Sequence, residues 1–86
     1  MAKYTVVVGK SATKELEKLP STVVKKLVLT IVSLEENPRP KGCKKLQGFE
    51  NLWRIRVGNY RIIYAIEDVI MLVDVRKIGH RKDIYE

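Results

Sequence analysis

The apolar residues of this chain change their spacing part-way along, and that change restricts the fold more than any other feature. From Ala12 to Leu34 they recur every three or four positions, and from Leu52 onward they alternate with polar residues. A helix repeats every 3.6 residues and a strand every two, so the chain reads as helices followed by strands. Runs of helix then runs of strand describe an α+β domain rather than a wound α/β one.

The punctuation supports that division. Tyr4 to Val8 is a short β-branched run, a strand ended by Gly9 and Lys10. Ser11 is placed to cap a helix that carries Ala12, Leu16 and Leu19 on one side, with Lys14, Glu15, Glu17 and Lys18 toward water. Pro20 stops it. Ser21 is placed to cap a longer helix with the stripe Val24, Leu27, Val28, Ile31 and Leu34, closed by Asn37-Pro38-Arg39-Pro40. Two helices joined by so short a turn form an antiparallel hairpin.

In the second half, Leu52 to Val57 places Trp53, Ile55 and Val57 on one face and Leu52, Arg54 and Arg56 on the other. Gly58-Asn59 makes a tight turn. Tyr60 to Ile66 is the next strand, Glu67-Asp68 turns the chain, and Val69 to Val75 reads as a central, buried strand. Ile78 to Tyr85 leads out of the sheet. The expected order is β-α-α-β-β-β, one domain over residues 1–86, with the helical hairpin on one face of a small antiparallel sheet. The other face is left to carry function.

Charge narrows what that function is. Lys and Arg number 17 against 10 Asp and Glu, a formal charge of +7 on 86 residues. So basic a surface suits nucleic acid, an anionic membrane or an acidic protein. No apolar run is long enough to span a bilayer. The start, Met1-Ala2-Lys3-Tyr4, lacks the apolar core of a signal peptide, so the expected location is the cytoplasm. The single cysteine, Cys43, excludes an internal disulfide, and with the single histidine it cannot build a zinc site unaided. Glu67, Asp68 and Asp74 are carboxylates, but they fall at a turn and in a buried-looking strand. No metal or other cofactor is expected.

Arg54 and Arg56 are two apart in an alternating strand and point the same way. Arg61 follows just beyond the turn, and Arg81 and Tyr85 lie in the closing segment. Gathered on one face, these four guanidinium groups form a phosphate-binding surface, because Arg offers forked, planar donors. Tyr85 can stack on a base. His80 is the one side chain whose ordinary pKa is close to neutrality, which suits acid–base work. A second basic group, Arg39, Lys41, Lys44 and Lys45, has the look of a footprint for phosphate backbone. The plainer alternative for each group is a solvated surface.

Two stretches then carry a resemblance. Lys45-Leu46-Gln47-Gly48 followed by Leu52-Trp53-Arg54-Ile55-Arg56-Val57-Gly58-Asn59-Tyr60-Arg61-Ile62-Ile63-Tyr64 resembles the RelE/ParE toxin superfamily. The ending Gly79-His80-Arg81-Lys82-Asp83-Ile84-Tyr85 resembles its RelE branch. The likeness spans essentially the whole chain. It implies a RelE-like fold and the toxin of a type II toxin–antitoxin system, an endoribonuclease that cuts mRNA in the ribosomal A site. It places Arg54, Arg56, Arg61, Arg81 and Tyr85 in the active face. It also implies an antitoxin partner, through which the complex binds operator DNA.

There is one departure. The family's best-known member has two lysines where this chain has Arg54 and Arg56. Arginine, with a reference pKa above about 12, does not give up its proton. The general base therefore falls to Tyr85 or His80, and the general acid to Arg81 or His80. Two other readings stay open: a ParE-type poison of DNA gyrase, and a catalytically weak homologue that only binds the antitoxin.

Overall fold

The computed structural model describes residues 3–80. Its elements are β1 (Thr5–Val8), α1 (Lys10–Lys18), α2 (Ser21–Ser33), β2 (Lys44–Lys45), β3 (Leu52–Val57), β4 (Tyr60–Glu67) and β5 (Leu72–His80). The strands form one five-stranded sheet in the order β1-β5-β4-β3-β2. The antiparallel sheet expected from the sequence holds for β2 to β5. The edge strand β1 instead runs parallel to β5, so the sheet is mixed.

Both helices start earlier than their serines suggest, α1 by two residues and α2 by one. Gly9 is the N-cap of α1, and Pro20 that of α2. The Gly9 amide donates to Val75 O at 2.8 Å while its carbonyl accepts from Thr13 N at 2.9 Å. The chain thus passes from sheet to helix at a single residue, and Ser11 is already inside the first turn. Pro20 takes an extended conformation with φ −61°, which suits a cap but lets α1 go no further.

The helices cover one face of the sheet. Ala12, Leu27, Ile31 and Leu34 meet Ile55, Ile62, Tyr64, Ile66, Val73, Val75 and Ile78 in a single buried cluster. Trp53, Val57 and Tyr60 pack at its margin. The Tyr64 hydroxyl donates to Pro38 O at 2.8 Å from within that core, which ties the segment after α2 to the sheet. Burial raises the Tyr64 phenol's pKa well above the ordinary value.

Two departures from the sequence reading affect the other face. First, Val69 and Ile70 are not in a strand. They sit at the apex of the turn closed by Met71 N to Asp68 O at 3.2 Å, where Val69 is 98% exposed. The last strand starts later, at Leu72, and continues through Ile78 to His80. Second, the register slips by one residue between Ile63 and Tyr64. Tyr64 pairs with Val75 and Ile63 with Lys77, so Arg76 is an extra residue in a bulge.

Candidate functional site

Alternation along β3 carries three side chains to the face away from the helices: Leu52, Arg54 and Arg56. Cross-strand partners share a face, so their neighbours follow from the register. Arg54 lies opposite Ile63 and Lys44, and Ile63 lies opposite Lys77. One step along, Arg56 lies directly opposite Arg61, and Arg61 opposite Gly79, which has no side chain to crowd it. Lys44, Arg54, Arg56, Arg61 and Lys77 therefore share the face away from the helices. Further along the strands the character changes to Ala65 and Asp74, then Glu67 and Leu72. The face is cationic at the end near the β3–β4 turn and acidic at the other.

That turn is two residues long. Gly58 takes φ +61° and Asn59 does not take positive φ, which fits a type II′ turn with glycine in its first central position. The tight turn brings Arg56 and Arg61 opposite each other.

Arg54 differs from the other cations in being only 8% exposed. A small apolar cluster of Leu46, Ile63 and Leu52 lies beside it on the same face. A groove of about 300 Å³ is lined by Lys44, Lys45, Leu46, Gln47 and Arg54. Long cationic side chains often rest their stems on apolar surface in this way. A guanidinium withdrawn from bulk water acts more strongly on an anion than an exposed one.

The other expected site residues separate. Lys45 pairs with Trp53, on the other face from Lys44 by register, yet at this sheet edge it also lines the groove beside Arg54; both lysines are exposed. Lys41 is exposed in the turn before β2. Arg39 is engaged elsewhere. Its guanidinium stands over the Trp53 ring at 4.8 Å and donates to both Asp68 oxygens, at 3.2 and 2.8 Å. The Tyr4 hydroxyl donates to the same carboxylate at 2.7 Å. These three hydrogen bonds, those from Arg39 first, lower the Asp68 pKa to about 2. Arg39 thus joins the start of β1, the β4–β5 turn and Trp53 on the helix side, away from the arginine face.

His80 also falls on the helix side. It pairs with Tyr60, and the two rings meet edge-on with centroids 5.5 Å apart. The structure does not bring it to Arg54, Arg56 and Arg61. Arg81 and Tyr85 lie outside the described residues. Among the described residues, no three His, Cys, Asp or Glu side chains gather where they could hold a metal ion. Of the carboxylates, Asp68 is tied to Arg39 and Tyr4, and Asp74 to Arg76 Nε at 3.2 Å.

Sequence reasoning missed Lys77 and Gln47. Simple alternation from Val73 and Val75 would turn residue 77 inward. The extra residue in the bulge reverses the phase, so that Lys77 faces out and Ile78 in.

Residues 6–85 match the family model of the ParE toxin of the type II toxin–antitoxin system parDE. Toxin RelE3 of Methanocaldococcus jannaschii is 35% identical over 86 residues, covering 94% of each chain. The chain belongs to the RelE/ParE toxin family. This RelE/ParE toxin also shares 34% identity with the mRNA interferase toxin RelE of Escherichia coli, over 83% of this chain and 76% of that one. Among solved structures, the archaeal RelE–RelB complex of Pyrococcus horikoshii superposes with a TM-score of 0.83 at 28% identity, over 94% of this toxin and 98% of that chain. The residues quoted for the family resemblance, Leu52 to Tyr64, are β3, its turn and the first half of β4. The motif is thus the hairpin that carries the arginines.

Proposed function

We propose that this toxin is an endoribonuclease that cuts messenger RNA in the ribosomal A site without a metal ion. The observation that carries the reading is Arg54, Arg56 and Arg61 on the sheet face away from the helices, with Arg56 directly opposite Arg61. Guanidinium groups set this close present forked donors that one anion can share. A phosphodiester gaining charge in its transition state is such an anion. The relative named as an mRNA interferase supports the reaction class.

In this scheme the ribose 2′-hydroxyl loses its proton and attacks the adjacent phosphorus. The bond from phosphorus to the next nucleotide's 5′-oxygen breaks, leaving a 2′,3′-cyclic phosphate and a protonated 5′-hydroxyl. Arg54, Arg56 and Arg61 donate to the non-bridging oxygens as charge builds there. Tyr85, ionised, takes the 2′ proton; Arg81 donates a hydrogen bond to the leaving oxygen while keeping its own proton, and a solvent water protonates that oxygen. His80 is left out of the proton transfers, because its ring lies against Tyr60 on the helix side. Lys41, Lys44 and Lys45 track neighbouring phosphates, whereas Arg39 does not.

An open sheet face gives RNA few walls to align against. The ribosome supplies the alignment, which is worth much of the barrier. Solved relatives include complexes with a RelB antitoxin, which supports a cognate antitoxin as partner; the same basic face is its target, and the pair binds operator DNA through the antitoxin.

The test is a defined message translated with purified toxin, its ends mapped by primer extension, with the Arg56→Ala/Arg61→Ala double variant as control. Codon-phased cuts that need ribosomes and vanish in the variant are expected. The family model that matches is named for ParE, which favours a second reading, a poison of DNA gyrase. Intact message beside blocked supercoiling would select it. Intact message with no gyrase effect would leave an antitoxin-binding module.

A further inference from the structure

We infer that residues 46–49 form a nucleobase subsite beside the arginine face, with Phe49 stacking on a base and Gln47 reading its edge; the inference rests on the RNA reading above. Phe49 is the chain's one phenylalanine and stands 54% exposed between β2 and β3. An aromatic ring held in water, two residues along from the groove-lining Gln47, has little to contribute to folding. Its flat face suits a base, which every nucleotide offers.

The loop holds the ring in place. Leu46 N donates to Leu52 O at 2.9 Å and closes its base. At its far end, Asn51 Nδ2 donates to Glu67 Oε1 and Ile66 N donates to Asn51 O at 3.0 Å. Gly48, at φ +83°, reverses the chain between Gln47 and Phe49. Five residues anchored at both ends leave Phe49 little freedom, so little entropy is lost when a base lies on it.

The groove supplies the rest. Gln47, Lys44 and Arg54 line it together. Gln47 and Phe49 are two residues apart, so their Cα atoms lie within about 7.6 Å of each other. A carboxamide both donates and accepts, and so can pair with a base edge, which a lysine cannot do. The arginines and Lys44 hold the sugar–phosphate, while Phe49 and Gln47 hold a base. Affinity and preference thus come from different side chains of one site.

The test uses the full chain and two fluorescein-labelled probes followed by anisotropy at fixed salt. One is a 2′-O-methyl RNA hexamer, which cannot be cut by 2′-attack. The other is the same backbone without bases. Phe49→Ala is expected to weaken hexamer binding by about 10-fold, within the range for losing one base–aromatic stack. Phe49→Trp restores it, and the abasic probe binds both variants as it binds wild type. Equal hexamer binding by wild type and Phe49→Ala overturns the subsite, as does a matching loss on the abasic probe. No binding by wild type at millimolar concentration also overturns it. Unchanged RNA binding with weakened antitoxin binding would make Phe49 a protein anchor instead. Because the hexamer is not cleaved, a wild-type toxin that failed to cut message would sink the nuclease reading alone.

Discussion

Replacing Arg56 by glutamate should stabilise this toxin and disable it. Arg56 and Arg61 are direct cross-strand partners on the face away from the helices. Such partners have Cβ atoms about 5 Å apart, and one pair contributes about 0.2–1 kcal/mol, favourable for opposite charges and unfavourable for like ones. Arg56→Glu exchanges a repulsion for an attraction. Arg56 is exposed, so solvent screening keeps the gain to about 0.5–1 kcal/mol. For a chain of 86 residues that raises Tm by roughly 2–8 °C. The assay is thermal unfolding by circular dichroism at low salt and again at high salt, beside message cleavage by the same preparation. The gain should shrink as salt shortens the Debye length. Cleavage should fall by about 100-fold or more, as when a transition-state donor is lost. A variant less stable than wild type at low salt would refute the cross-strand reasoning. A variant that cuts message at the wild-type rate would refute the placing of Arg56 in the site.

Two further outcomes follow from the contacts that fasten the loops. Tyr64→Phe leaves the Pro38 carbonyl, in the buried surroundings of a fully buried ring, without its donor; it should cost about 1–3 kcal/mol, read as a lowered urea midpoint at unchanged slope. Asp68 has its pKa lowered to about 2 by Arg39 and Tyr4, so its contribution is present above about pH 4 and is lost as pH falls toward 2. Asp68→Asn should therefore be less stable than wild type at pH 7, and the gap in urea midpoint should close between about pH 4 and pH 2.

Much of this was legible in the sequence because period and phase are local properties. The alternation Trp53, Ile55, Val57 locates the core face of β3 without reference to the rest of the chain, and of the stripe Val24, Leu27, Val28, Ile31 and Leu34 the structure buries Leu27, Ile31 and Leu34 but leaves Val28 exposed. The same alternation correctly sent Arg54 and Arg56 to the other side. What could not be read depends on partners distant in sequence. Lys44-Lys45 has no strand-forming residue, and is a strand only because β3 lies beside it. Val69 and Ile70 have strand chemistry, but a reversal is needed between β4 and β5, and it falls on them. The bulge at Arg76 inverts the phase of everything after it, which hid Lys77. It also means that the side to which His80 turns could not be read by counting from Val75. The role of Arg39 rested on charge alone, and charge does not report that Asp68, 29 positions away, accepts both of its donors.

The two faces of the sheet explain why the site is so open to substitution and yet so exposed to cost. Nearly all buried apolar area lies on the helix side, so the fold does not depend on the arginines. On the opposite face, among the described residues, Leu46, Leu52 and Ile63 form a small apolar cluster and Arg54 is the buried cation. Arg56 and Arg61 are set directly opposite each other by the strand register. A residue set that helped the fold would alternate charge across β3 and β4. This one gathers like charge at the turn, where forked guanidinium donors on neighbouring strands suit a shared phosphate, and that placement is the ground on which we propose this face as the site.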